Sequence, residues 1–311
     1  MSLRFTVLAS GSQGNASLVQ AGGFGVLIDC GLGPRTLAAR LERAGLSWQH
    51  VNAIVLSHTH SDHWKERTLY RLSKLAIPLY CHSRHHDCLA LSEAFSQLRS
   101  SQLVRSFKPK ACLQLTPDLC CYPLPVRHDS DGAFGFRFEA GTGLFGPGAC
   151  LVYLADLGTW DEDLVDAAVN VDLLALEFNH DVDMERTSGR MPQLIKRVLG
   201  DHGHLSNVQA AGFLKEVLRR SSPGQLKRLV QLHLSQDCNC PNLASDVARS
   251  ALAEGNSEAE VFTACQHETS PCFHLSSNRF RPYFLRRNRI RAAKNKASML
   301  SQPSLPGFDI D

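Results

Sequence analysis

The sequence lacks any apolar run approaching the roughly 18 residues that a membrane span requires. Its start, Met1-Ser2-Leu3-Arg4-Phe5, has no long apolar stretch and no Ala-x-Ala-like exit, so no export signal is expected. It also lacks a paired cysteine framework. The eleven cysteines are an odd number at scattered spacings, which suits reduced thiols in a cytoplasmic protein. Strong net charge is absent too. The balance of +3, with aliphatic and β-branched residues throughout, excludes global disorder. One absence is local: no Asp or Glu occurs from Thr269 to Phe308.

What is present is 311 residues, 43% of them hydrophobic, enough for a sizeable core. Alternating or continuous apolar runs predict strands at Arg4–Ala9, Ala16–Gln20, Gly25–Asp29, Val51–Ser57, Pro78–Cys81, Cys120–Val126, Gly135–Ala140, Cys150–Ala155, Leu173–Glu177 and Leu229–Leu234. Helical periodicity predicts Pro34–Ala44, Trp64–Leu75, Arg84–Gln97, Gln193–Leu199, Val208–Arg220 and Leu243–Glu254. Strands crowd the first half and are spaced by helices in the second. This order suits an α/β body of two packed sheets with helices outside.

The densest chemical signal is Ser57-His58-Thr59-His60-Ser61-Asp62-His63, directly after a buried strand. Three imidazoles and a carboxylate within six residues form a donor set for a hard-to-borderline divalent ion such as Zn²⁺ or Mn²⁺. Alternation points His58 and His60 the same way, while Asp62 and His63 project differently and can serve a second ion.

The stretch resembles the His-x-His-x-Asp-His signature of the metallo-β-lactamase fold superfamily. The resemblance implies a four-layer αββα sandwich and three later ligands, each after a strand: His128, Asp156 and His233. His58, His60 and His128 would hold one ion, Asp62, His63 and His233 the other, and Asp156 would bridge them. Two such ions acidify a shared water and clamp an anionic transition state, which is hydrolytic chemistry.

Four further motifs narrow the resemblance. They are Ser10-Gly11-Ser12-Gln13-Gly14-Asn15, Leu176-Glu177-Phe178-Asn179-His180-Asp181, Gly200-Asp201-His202-Gly203-His204-Leu205-Ser206-Asn207, and Leu232-His233-Leu234-Ser235 with Pro241-Asn242 following. In this order they look like the YycJ/WalJ-type branch, related to tRNase Z and to phosphoribosyl cyclic phosphodiesterases. That branch implies a 5′-to-3′ DNA exonuclease linked to repair. The catalytic set expected from it is Asp62, His204 as proton donor to the leaving oxygen, and Glu177 orienting His204. Ser206 and Asn207 at a helix start, with Ser12 and Asn15 on the Gly-Ser turn, are expected to meet phosphate. Cys238 and Cys240, near His233, are set aside as ligands because the other seven residues already fill two sites. His82, His85 and His86 are expected at the surface, without a role.

The body is expected to span residues 1–270, followed by a basic extension at 271–297 and a tail at 298–311. The extension carries Arg279, Arg281, Arg286, Arg287, Arg289 and Arg291 among aromatics, a composition suited to nucleic acid, with DNA favoured. In the tail, Gln302, Leu305 and Phe308 resemble peptides that dock into DNA sliding clamps. The competing readings are a small cyclic phosphodiesterase or RNA-processing nuclease, a glyoxalase- or lactamase-type hydrolase, and a non-catalytic DNA or clamp adaptor.

Overall fold

The computed structural model describes residues 2–143 and 146–276. The first half of the chain opens with β1 (Leu3–Ala9), β2 (Ala16–Ala21) and β3 (Phe24–Ile28), joined as antiparallel neighbours. Helix α1 (Pro34–Arg43) follows, with proline in its first turn. Then come β4 (Ala53–Val55), α2 (Glu66–Leu75), β5 (Leu79–Cys81), α3 (His86–Leu89), α4 (Glu93–Ser100) and β6 (Val104–Ser106). Strands β3 to β6 pair in parallel, so a crossover separates each from the next.

The second half repeats the scheme. Strands β7 (Leu113–Thr116), β8 (Leu119–Pro125), β9 (Phe134–Gly143) and β10 (Gly146–Leu154) form an antiparallel meander. Helix α5 (Glu162–Ala168), β11 (Leu173–Glu177), α6 (Val182–Thr187), α7 (Pro192–Val198), α8 (Asn207–Arg220), β12 (Arg228–Leu232), α9 (Pro241–Glu254) and β13 (Glu260–Thr263) complete this sheet with parallel pairings from β10 to β13. Strand β14 (Phe273–Leu275) returns to the first sheet, antiparallel to β1. Sheet pairing therefore extends past 270, the expected end of the body. Each sheet has seven strands, ordered β14-β1-β2-β3-β4-β5-β6 and β13-β12-β11-β10-β9-β8-β7.

Side-chain alternation builds the layers. Phe5 and Val7 of β1 meet Phe136, Phe138, Leu151, Tyr153, Leu173 and Ala175 between the sheets. Val152, Leu154, Leu174 and Leu176 face the opposite way, onto Leu164, Phe213, Leu214 and Ala248 of the outer helices. Leu27, Ile54 and Leu79 likewise pack on Leu37, Leu41, Leu69, Leu72 and Phe95. The result is the expected αββα sandwich. Among the described residues no helix is long and apolar enough to cross a membrane.

Some local expectations differ from the structure. The predicted helix Arg84–Gln97 is broken. A 3₁₀ turn at Ser83–His85 precedes α3, and Ser92 starts a new helix by accepting from Phe95 N at 3.3 Å. The run Val51–Ser57 gives only three strand residues, because the chain turns after Leu56 to lay Ser57 on Asp29. His233 stands just past β12 rather than inside a strand, with φ +55°. His85, expected at the surface, is fully buried.

Candidate metal centre

The parallel strands of both sheets end along one edge of the sandwich, where such folds place their ligands. Asp29 follows β3, the loop from Ser57 to His63 follows β4, Asp156 follows β10, Glu177 ends β11, and His233 follows β12. Asp29, Asp156 and His233 all take left-handed backbone, at φ 61°, 57° and 55°. Non-glycine residues rarely adopt this conformation, and it costs on the order of 1 kcal/mol or more at each. The strand ends thus turn sharply and drive these side chains inward between the sheets.

The seven residues expected to hold metal come together. Ligand atoms of His58, His60 and His128 form one close group, and those of Asp62, His63 and His233 another. Asp156 groups with His58 and His63, and also with Glu177, His204 and His233. His60 Nδ1 lies 3.2 Å from His128 Nε2, and Asp156 places Oδ2 3.0 Å from His63 Nε2 and Oδ1 3.3 Å from His233 Nε2. No cysteine joins these groups among the described residues.

The remaining ring atoms are held by the protein. His63 Nδ1 is 2.7 Å from Asp29 Oδ2, and Asp29 also accepts from the amide and hydroxyl of Ser57. His128 Nδ1 bonds to the Gly203 carbonyl at 3.0 Å. Asn179 Nδ2 lies 3.1 Å from His233 Nδ1 and donates to the His233 carbonyl, while the His233 amide donates to Ser10 Oγ. Each of these three histidines therefore presents Nε2 to the shared pocket. Asp29, Ser57 and Asn179 were not found from the sequence. A carboxylate closing a buried strand just before Cys30-Gly31 was the available sign of Asp29.

The electrostatics fit divalent cations. Burial first, then the charge of His63, hold His58 well below the ordinary imidazole range. Burial also opposes charge on His63 and His233, yet the carboxylates prevail. Asp156 and Asp29 raise His63 well above its ordinary value, and Asp156 leads in pushing His233 up to about 9. Asp156 itself is held well below the usual carboxylate range, burial being outweighed by His233 and His63. The Nε2 atoms of His58 and His233 are buried without a hydrogen-bond partner. Converging buried nitrogens without donors, beside carboxylates that demand positive charge, make a donor set for Zn²⁺-like or Mn²⁺-like ions.

The expected catalytic pair also meets. His204 Nδ1 is 2.7 Å from Glu177 Oε1, while Glu177 Oε2 accepts from the amides of Leu157 and Leu205. Burial works against a charged His204, but Glu177 outweighs it and the pKa is raised. The His204 ring stacks on His233, with centroids 5.2 Å apart.

The expected phosphate contacts need correction. Ser206 is buried and caps α8 in a reciprocal box with Gln209, and Asn207 is buried against Asn239. Their polar groups are spent on the protein. Asn15 is fully buried too. It accepts from Gly11 N and donates to Asp62 Oδ2 at 3.2 Å, so it braces the metal loop rather than offering an anion cradle. Ser12 is exposed on the same turn. Arg279, Arg281, Arg286, Arg287, Arg289 and Arg291, with Gln302, Leu305 and Phe308, lie outside the described residues.

Two packed sheets carrying this His/Asp cluster at their common edge define the metallo-β-lactamase architecture. The chain belongs to the β-lactamase superfamily domain family, whose model matches residues 25–226. It is 26% identical over 253 residues to exodeoxyribonuclease WalJ of Streptococcus pneumoniae serotype 2 (strain D39), covering 81% of this chain and 89% of that one. It is 28% identical over 273 residues to exodeoxyribonuclease YycJ of Bacillus anthracis, covering 87% and 97%. The crystal structure of the metallo-β-lactamase fold protein YhfI from Bacillus subtilis superposes with a TM-score of 0.61 at 21% identity, covering 87% of this chain and 99% of that one.

Proposed function

We propose that the protein is a dinuclear-metal phosphodiesterase acting on nucleic acid in the cytoplasm, specifically a 5′-to-3′ DNA exonuclease serving repair. The observation that carries this reading is the double His/Asp cluster with a carboxylate-fixed histidine at its rim. Two exonuclease relatives covering most of the chain support the choice of DNA.

His58, His60 and His128 would hold one cation, and Asp62, His63 and His233 the second, with Asp156 reaching both. Bound divalent ions supply Lewis acidity, acidifying water and neutralising phosphoryl charge. The side chains do the rest. Asn15 holds Asp62 Oδ2 beside His63 and His233, so this carboxylate is positioned to orient the attacking water. Glu177 accepts a hydrogen bond from Nδ1–H of His204 and keeps that proton on the ring, so Nε2 is the atom that delivers a proton to the departing sugar oxygen. The basic segment from Arg279 would grip the strand. Gln302, Leu305 and Phe308 would tether the enzyme to a sliding clamp, which Leu305→Ala with Phe308→Ala should release in pull-down while hydrolysis persists.

The deciding test is an end-labelled assay on single- and double-stranded DNA and RNA, in Mn²⁺ and in Zn²⁺. Stepwise loss from the 5′ end of DNA is expected. Hydrolysis of thioesters or small cyclic phosphates, with no cleavage of polymers, would sink the proposal.

A further inference from the structure

Five of the seven clustered side chains are almost fully buried: His58, His63, His128, Asp156 and His233. Solvent reaches the cluster through His60, Asp62 and His204, whose side chains are 32%, 21% and 17% exposed. These three mark the mouth. Two residues that the sequence did not single out stand beside it. Asp129, next after His128, places Oδ1 3.3 Å from His128 Nε2 and 3.5 Å from His60 Nε2. Its Oδ2 accepts from Nε of Arg197, on α7.

Arg197 places a cation at this mouth. Its side chain is 53% exposed, and its terminal amino groups make no hydrogen bond among the described residues. The end of α7 is fixed in place. The His204 amide donates to the Val198 carbonyl, and Gly203, whose carbonyl holds His128, packs so tightly on the Arg197 carbonyl that an added Cβ would lie 2.2 Å away. The backbone that carries Arg197 is therefore fixed beside His128. Its guanidinium is held at the mouth by Asp129, which also approaches His60 and His128. Asp129 also keeps it from collapsing onto the deeper carboxylates.

We propose that Arg197 is the phosphate-recognising residue of this centre, anchored by Asp129, and that it selects phosphodiester anions over neutral esters. The inference rests on the phosphodiester reading and names the group that enforces it. A planar guanidinium with two free amino groups matches two phosphate oxygens, a fit that a lysine ammonium lacks. Bonding through Nε to Asp129 leaves that face outward. The Asp129–Arg197 pair is neutral by itself, so it leaves the demand for cations inside the cluster unchanged until substrate arrives.

The experiment uses the full chain loaded with Mn²⁺, a 5′-phosphorylated oligonucleotide as substrate, and inorganic phosphate as a calorimetric probe. Arg197→Ala should raise KM at least tenfold, with a smaller fall in kcat and no loss of bound metal, and should weaken phosphate binding by a similar factor. Arg197→Lys should recover part of both. Arg219→Ala, near the far end of α8 and about 18 Å along the helix from Asn207, should leave both at wild-type values. An unchanged KM and phosphate affinity would overturn the inference. So would metal loss in Arg197→Ala, which would make the pair a scaffold for His60 and His128. If wild type cleaves no phosphodiester, the functional proposal fails by itself, and the phosphate titration of wild type against Arg197→Ala still decides the role of Arg197.

Discussion

At the scale of single residues, the centre depends on side chains whose environment sets their protonation. Asp156 reaches both groups of histidines, so its charge matters more than its shape. Asp156→Asn keeps a residue tolerant of left-handed backbone but removes that charge. Metal analysis should show at least one ion lost per chain, with hydrolysis falling by more than 100-fold, while far-UV circular dichroism stays native. His85 offers a prediction away from the metals. Its Nε2 is 2.7 Å from the Gly132 carbonyl and its Nδ1 accepts from the His82 amide, so the ring has no place for a second proton. Burial lowers it from 6.5 to about 4. As pH falls through 6.5 the unfolded chain binds a proton that the folded chain refuses, so stability drops until about pH 4. The full effect is about 3 kcal/mol. His85→Gln should flatten denaturant-derived stability in that window relative to wild type, and identical pH slopes would refute the assignment.

At the scale of elements, the Gly-Ser turn and the metal loop act as one unit. Gly31 packs beneath the loop, where a Cβ would lie 1.6 Å from the Asp62 carbonyl oxygen. That contact is with backbone and cannot be relieved by a rotamer. Gly31→Ala should cost more than about 3 kcal/mol and lower metal content, read by thermal melting and metal analysis. Gln266 clamps the turn from outside, accepting from Gln13 N and donating to the Gly14 carbonyl. Its loss in Gln266→Ala should remove about 1–3 kcal/mol. It should also weaken the ion at Asp62, His63 and His233 more than the ion at His58, His60 and His128, which metal titration can resolve. Ten strands and the cluster His58, His60, Asp62 and His63 were legible because apolar runs and close histidine spacing are local signals. His128, Asp156 and His233 were reached through the family resemblance, and β6, β7, β13 and β14, of three or four residues each, are too short to stand out. Asn15 and Ser206 were legible as residues but not as roles. A capping serine and a bracing asparagine look the same in sequence as phosphate contacts until burial distinguishes them. Asp129, Arg197 and Gln266 gave no local sign, because Asp129 and Arg197 stand 68 positions apart and Gln266 stands 253 from Gln13.

At the scale of the molecule, the sheets share an apolar core and the edge that carries the cluster. The candidate ligands come from both halves, so divalent ions bound there would link the two sheets, and a chelator should lower the melting temperature as well as stop turnover. The acid-free, arginine-rich segment beyond Thr269 is the part proposed above to grip nucleic acid. Deleting residues 277–311 should weaken DNA binding and make its dependence on salt shallower, with smaller loss at high salt. Equal slopes for the full and shortened chains would remove that segment from DNA binding.

Strand β14 pairs with β1, so the first sheet begins with nearly the first described residues and closes with nearly the last. Ser270 and Val7 exchange two bonds of 2.8 Å across this join, and Gln266 reaches the Gly14 turn from the same segment. During translation the opening strand must therefore wait with a bare edge while more than 250 further residues are made. The turn that braces Asp62 stays unclamped for the same period. A ribosome-bound fragment lacks the segment that clamps the turn behind Asp62, so that flank of the cluster is the last to be secured.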